Sequence, residues 1–318
     1  MISPLDGGVT RTIVVALGGN ALQPPGGRGD IHEQFAHTRE SLGAVVALAQ
    51  AGWRIVLVHG NGPQIGDELL RNELARSRRP PLPLGVLVAS TAGWIGYMIQ
   101  QSLRNALDRA GIRRAVVSMI TQVLVDADDL EPRKPIGHTM PHEQASELAA
   151  ELGWNIGPAQ GGWRRMVASP RPHTVIESAQ VQRLLEDGTI VIACGGGGTP
   201  VYEDATLGIE GVDAVIDKDR AACILARDVE AEVLLILTNV DGAYSGYGTE
   251  SQQLLERLSA NEATRLLAAG EFGRGSMGPK VEAAVDFVRA GGRRAIIARL
   301  ERGLEAVEGR TGTSIVPE

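Results

Sequence analysis

Three short runs of β-branched and apolar residues each end in a cluster of glycines, and this repetition constrains the fold more than any other feature of the chain. Residues 12–17 stop at Gly18-Gly19-Asn20, residues 54–58 at His59-Gly60-Asn61-Gly62-Pro63, and residues 189–193 at Cys194-Gly195-Gly196-Gly197-Gly198. Segments with apolar residues at helical spacing lie between them, at 35–51, 65–78 and 90–110. Strands separated by helical crossovers must run parallel, so the pattern predicts an α/β fold on a mainly parallel open sheet. The alternation continues with strands at 115–119, 233–237 and 294–298 and helices at 179–186, 219–229 and 279–290. It breaks at about 121–172, where prolines, charges, Gly161-Gly162 and two tryptophans replace it. This stretch reads as an inserted, protruding subdomain.

An open parallel sheet binds its ligands beyond the carboxyl ends of its strands, and the glycines stand there. Loops after such strands present backbone N–H groups, and a following helix N-terminus adds partial positive charge, so phosphate is the natural guest. Gly18, Gly19, Asn20, Gly60, Asn61, Gly62, Gly195, Gly196, Gly197 and Gly198 are therefore the candidate phosphate- and substrate-binding residues. The common nucleotide signatures are missing: Pro279 interrupts any GxxxxGK[ST] ending at Lys280, and Pro200 stands where GxGxxG needs its third glycine. Zinc has no support, because His138 and His142 lack a third ligand at metal spacing and read as solvated loop residues. No side chain is identified as a metal ligand.

Composition singles out three residues. Of the 31 basic residues 28 are arginine, leaving Lys134, Lys218 and Lys280, each set among glycine, proline or aspartate where a solvated helix face is not expected. A compact ammonium on a slim stem enters a phosphate pocket that a broad guanidinium fork does not fit. A net charge of −7 and 3% aromatic residues exclude nucleic acid as a partner. No apolar run spans a bilayer and residues 1–10 carry no basic-then-apolar leader, so no membrane partner is expected. Two cysteines, Cys194 and Cys223, offer no disulfide framework, and the chain reads as cytoplasmic.

Taken together, Ala16-Leu17-Gly18-Gly19-Asn20-Ala21, His59-Gly60-Asn61-Gly62-Pro63-Gln64, Lys134-Pro135-Ile136-Gly137, Cys194 with its four glycines, Val215-Ile216-Asp217-Lys218-Asp219 and Gly275-Ser276-Met277-Gly278-Pro279-Lys280 resemble the amino acid kinase family. Lys134 within an insertion points to its carbamate kinase branch. The resemblance implies a three-layer αβα sandwich, a homodimer, Mg²⁺ acting with ATP or ADP, and reversible transfer between carbamoyl phosphate plus ADP and carbamate plus ATP. It implies a small-substrate lobe at 1–208 and a nucleotide lobe at 209–318. By the same resemblance Lys134 reaches the substrate phosphoryl group, Lys218 and Lys280 flank the phosphate in flight, and Asp219, with Asp217 beside it, orients the lysines. Thr238, Asn239, Val240, Asp241, Tyr244, Met277 and Gly278 would bind the nucleotide. The chain departs from the family pattern at His138-Thr139, where a proline and an aromatic usually follow the glycine, and at Gly161, where an arginine is usual.

Phosphoryl transfer proceeds through a loose transition state with charge spread over the phosphoryl oxygens, so ammonium and N–H groups suffice for it. Carbamate and the terminal phosphate of ADP are already anions, and neither direction of transfer needs a general base. None of the lysine motifs contains a histidine, and His59 is assigned to orienting its glycine loop. The alternatives are a related kinase acting on another small acid and a non-catalytic nucleotide sensor.

Overall fold

A computed structural model describes residues 11–23, 29–159, 161–273 and 277–318. Its centre is an eight-stranded sheet in the order Arg257–Ser259, Thr313–Val316, Arg294–Arg299, Val233–Thr238, Thr12–Leu17, Arg54–His59, Ile190–Ile192, Val116–Ser118. The six strands from Arg294–Arg299 to Val116–Ser118 pair parallel throughout. Thr313–Val316 runs antiparallel to its neighbour Arg294–Arg299 and closes that side with Arg257–Ser259.

The near-continuous apolar strands are explained by burial on both faces, as a parallel sheet requires. Ile13, Val15 and Leu17 join Ile55 and Leu57 in one core, against Val45 and Leu48 of the helix Gly43–Gln50 and Ile95, Met98 and Leu103 of the helix Leu84–Arg109. Val14 and Ala16 point the other way, joining Val56 and Val58 against Leu225 of the helix Lys218–Asp228 and Val281 and Val285 of the helix Met277–Arg289. Helices therefore cover both faces, and the architecture is the αβα sandwich that the resemblance implied.

Some expectations are revised. The helix expected at 35–51 is two helices, Ile31–Ser41 and Gly43–Gln50, separated at Leu42, whose ψ of 2° leaves the helical path. The helix Ala260–Ala268 and the strand Thr313–Val316 lay outside the sequence pattern altogether. The broken stretch is itself ordered. Pro132–Met140, Gly162–Ala168 and Asn155–Ala159 form a three-stranded antiparallel sheet, backed by the helix His142–Leu152. Gln122–Val125 and Pro172–Val175 pair instead in a second sheet with Thr199–Asp204 and Gly208–Gly211. The three-stranded unit sits on the helix Gly62–Leu74, where Ile136 and Val167 pack with Ile65, Leu69, Leu87 and Val215 in a core of their own. Arg165 pairs with Glu73 of that helix at 2.6 Å, and Trp154 Nε1 donates to the same carboxylate at 2.7 Å.

At the carboxyl end of its strand, His59 is fully buried. Its Nδ1–H donates to the Gly60 carbonyl at 3.0 Å, while Nε2 finds no partner among the described residues. Burial pulls its pKa down to about 4, against that backbone hydrogen bond, so the ring is neutral near pH 7. The unfolded chain, with an ordinary value of about 6.5, binds the proton first as the pH falls, so this contribution to stability is lost with acidification. Between pH 7 and pH 5 it should cost about 2 kcal/mol, read from urea unfolding at the two pH values. A His59→Asn variant should show a correspondingly smaller loss over the same interval, and equal losses in both proteins would contradict the assignment.

Candidate active site

The helix Lys218–Asp228 is started by Asp217, an N-cap residue in extended conformation whose Oδ1 accepts from the N–H groups of Asp219 at 2.9 Å and Arg220 at 3.3 Å. That geometry puts Lys218 and Asp219 in the first turn, at the end of the helix where the dipole favours anions. Asp219 is almost wholly buried and receives two lysines: Lys218 Nζ at 2.7 Å on Oδ1 and Lys280 Nζ at 2.8 Å on Oδ2. Lys280 comes from the first turn of the helix Met277–Arg289, on the same face of the sheet. The third lysine arrives from the inserted subdomain. Lys134 Nζ donates to the Ile216 carbonyl at 2.9 Å and lies 3.6 Å from Asp217 Oδ2.

In the sequence, Pro132, Pro135 and Gly137 around Lys134 suggest a semi-rigid hairpin tip with an exposed lysine, and the structure corrects this. It lies inside the strand Pro132–Met140 with 21% of its side chain exposed, because that strand folds down onto the body of the protein. Three ammonium groups face two carboxylates, leaving one net positive charge in a mostly desolvated cluster. Burial works to raise the pKa of both aspartates, but the pull of the lysines outweighs it and holds both below the ordinary carboxylate range. Lys218 experiences the converse: burial disfavours its charge, yet Asp219 and Asp217 prevail and raise its pKa. Lys134 and Lys280 are lowered, by burial first, with Lys218 adding like-charge repulsion to each. The cluster is thus poised to gain from an incoming anion.

Four of the glycine amides expected as donors are engaged within the fold. Gly18 N donates to Leu237 O at 3.2 Å and Gly60 N to Leu17 O at 3.4 Å, so both amides bridge neighbouring strand ends. Gly197 N and Gly198 N close their own turn on Cys194 O and Gly195 O. What these positions supply is room. A Cβ on Gly60 would stand 3.1 Å from Lys218 Cδ, and one on Gly197, whose φ is +97°, would stand 2.3 Å from Ile216 O. Gly195 and Gly196 press against His59 and Asn61, where a Cβ would come within 2.6 Å of His59 Nε2 and 2.4 Å of Asn61 Nδ2. Asn61 Nδ2 in turn donates to Thr91 Oγ1 at 2.9 Å, and the backbone N–H of Cys194 donates to Thr121 Oγ1 at 2.8 Å. Thr91 and Thr121 were not singled out from the sequence, since isolated threonines carry no local signal. Gly19 begins a three-residue 3-10 turn and Gly62 the helix Gly62–Leu74, and neither meets anything where a Cβ would stand. The side chain of Asn20, and Gly275 and Ser276 of the last motif, lie outside the described residues.

Beside Lys280 opens a pocket of about 250 Å³. Thr238, Asn239, Val240, Tyr244 and Met277, which the resemblance assigns to the nucleotide, line it together with Tyr247, Glu271 and Phe272, which it did not name. Asp241 is turned to Arg299, at 2.7 Å, and accepts from the Tyr244 hydroxyl at 3.4 Å, so it braces the pocket rather than lining it. Gly278 is buried behind the pocket, its N–H donating to Gly273 O at 2.9 Å.

The sequence profile of the amino acid kinase family matches residues 11–299. Carbamate kinase of Pyrococcus horikoshii is 46% identical over 311 residues, an alignment spanning 96% of this chain and 99% of that one. Among solved structures, carbamate kinase from Giardia lamblia bound to citric acid superposes with a TM-score of 0.92 at 36% identity, covering 97% of this chain and 99% of that chain. The same Giardia enzyme bound to AMP-PNP superposes with a TM-score of 0.88, again at 36% identity and covering 97% of this chain and 99% of that one. On the profile match, and on relatives similar to it from end to end, the chain belongs to the amino acid kinase family.

Proposed function

We propose that the chain is a carbamate kinase, transferring a phosphoryl group reversibly between carbamoyl phosphate plus ADP and carbamate plus ATP. The observation that carries this reading is the convergence of Lys134, Lys218 and Lys280 on two aspartates beside a pocket of nucleotide-base size. The full-length likeness to carbamate kinases supports it independently. The AMP-PNP complex of the Giardia enzyme supports an adenine nucleotide, with the base in the pocket and the phosphates running toward Lys280. The small substrate then belongs to residues 1–208 with the insertion, and the nucleotide to 209–318.

In the direction of ATP synthesis, a terminal phosphate oxygen of ADP attacks the phosphorus of carbamoyl phosphate. The bond from phosphorus to the carbamoyl oxygen breaks, and carbamate leaves with that electron pair. No proton moves, so a site without a catalytic histidine is chemically complete, and His59 remains a buried neutral residue. Lys218 and Lys280, held apart by Asp219, face the equatorial oxygens where charge accumulates, and Lys134 neutralises the substrate phosphoryl group. Among the described residues no group of three or more His, Cys, Asp or Glu is arranged to hold a metal. Asp217 and Asp219 are committed to lysines and helix N–H groups, so Mg²⁺ fits here as an ion carried in on the nucleotide phosphates, the mode a small hard cation favours. Bound there, it would screen the repulsion between the phosphates.

The direct test mixes the protein with carbamoyl phosphate, ADP and Mg²⁺ and follows ATP. ATP should appear, and chelation of Mg²⁺ should abolish it. Phosphorylation of acetylglutamate or another acid, with none of carbamate, would replace the substrate assignment with the related-kinase reading. Nucleotide binding without any transfer would replace it with the sensor reading.

Lys134→Ala should lower turnover by roughly 10² or more while leaving ADP affinity, measured by calorimetry, nearly unchanged. Lys134→Arg should also lose most turnover, because a planar fork does not fit where a slim ammonium reaches both Ile216 O and Asp217. Near-normal turnover in both variants would remove Lys134 from the transfer step.

The homodimer implied by the resemblance has a candidate face on the outer side of the helix Leu84–Arg109, beside the edge strand Val116–Ser118. Val86 and Tyr97 of that helix are 48% and 57% exposed, and Ile120 after the edge strand is 47% exposed. Light scattering at micromolar concentration should give twice the chain mass, and Tyr97→Arg should shift it toward the monomer. A monomeric unmodified protein would remove the assignment.

A further inference from the structure

The inserted subdomain meets the body of the protein at one contact without slack. Gly66 lies in the helix Gly62–Leu74, and Gly137 lies in the strand Pro132–Met140, three residues beyond Lys134. A Cβ on Gly66 would stand 2.1 Å from Gly137 Cα and 2.6 Å from its N, so two backbones touch where no side chain fits. Gly137 has a φ of +73°, in the segment where the pairing register of its strand shifts. Its neighbours are tied to the same helix: Ile136 packs with Ile65 and Leu69, and His138 Nε2 lies 3.1 Å from Asp67 Oδ1. Helix chemistry gives no reason for glycine at position 66, because alanine is the better helix former at an interior position.

We propose that the contact of Gly66 with Gly137 is the stop that sets how deeply Lys134 enters the site, which makes Gly66 a positioning residue for phosphoryl transfer. The inference rests on the kinase reading given above. Its logic is that of a short lever. Three residues of strand, roughly 10 Å, separate the contact from Lys134, so lifting the strand at Gly137 lifts the lysine with it. The helix cannot easily yield instead, since it begins directly after Asn61, whose side chain is fixed on Thr91 and pressed against Gly196. A methyl group at position 66 forces the backbones apart, and the 2.9 Å hydrogen bond from Lys134 to Ile216 O does not survive a displacement of that order. Misplacing a transition-state charge by about 1 Å costs up to about 10² in rate.

The test is Gly66→Ala, made alone and together with Lys134→Ala in the full chain. Alone, it should lower kcat for ATP formation by about tenfold or more, with ADP affinity unchanged. In the Lys134→Ala background it should cost nothing further, because the group it displaces is already gone. A defect of folding or of general structure would instead multiply the loss in both backgrounds. Hydrogen exchange should show faster exchange of the backbone amides of residues 132–140 in Gly66→Ala. A normal kcat in Gly66→Ala, or the same fold-loss with and without Lys134, would overturn the proposal. If the unmodified chain forms no ATP from carbamoyl phosphate, the kinase reading fails. The exchange measurement then decides the contact alone, and unchanged exchange at 132–140 overturns it.

Discussion

Everything at the site hangs on one buried carboxylate. Asp219 places one oxygen on Lys218 and the other on Lys280, and its charge opposes the burial that disfavours both ammonium groups. The dependence is mutual, since burial alone would push the carboxylate toward its neutral form. Such pairs add little net stability, because desolvation offsets most of the attraction. What they supply is geometry: two cations are fixed on the two oxygens of one carboxylate. Asp217 repeats the device on a smaller scale, fastening the start of a helix with one oxygen and facing Lys134 with the other.

The parallel sheet was legible because burial on both faces leaves nearly uninterrupted apolar strands, and those of residues 12–17 and 54–58 stand out against the helical spacing around them. The lysines were legible for a different reason. In a chain that uses arginine almost everywhere else, a lysine marks a place where a guanidinium does not serve. The inserted subdomain was only half legible. Pro132 and Pro135 erase the alternation that announces a strand, and the pairing of Pro132–Met140 with Gly162–Ala168 is irregular at two places, so no local period survives. The helix Ala260–Ala268 was within reach, since Ser259 and Glu262 form a capping box whose spacing is visible in the sequence. Tyr247, Glu271 and Phe272 were not, because they reach the pocket from separate loops.

The glycine clusters carry a more general lesson. Their position after parallel strands suggests amide donors for phosphate, but the N–H groups of Gly18, Gly60, Gly197 and Gly198 are engaged within the fold. Gly60, Gly195, Gly196 and Gly197 share another property, the absence of a side chain where Lys218, His59, Asn61 or Ile216 needs the space. Glycine after a strand here lets Lys218 and the Ile216 carbonyl approach the strand ends closely. The long helix Leu84–Arg109 and the helix Gly62–Leu74 then act as the frame, one fixing Asn61 through Thr91, the other carrying the insertion.

Cys194, between the strand Ile190–Ile192 and the glycine turn, has a left-handed backbone at φ 49° and a thiol that is fully buried. Burial pushes the thiol pKa up to about 12, and the other cysteine, Cys223, is likewise buried and raised to about 12. A thiol in that state is unreactive both because it keeps its proton and because no reagent reaches it. Alkylation of Cys194 therefore requires the turn over the sheet to open, and its rate counts the openings. The chain carries, beneath its four-glycine turn, a chemical clock for the local unfolding of that turn.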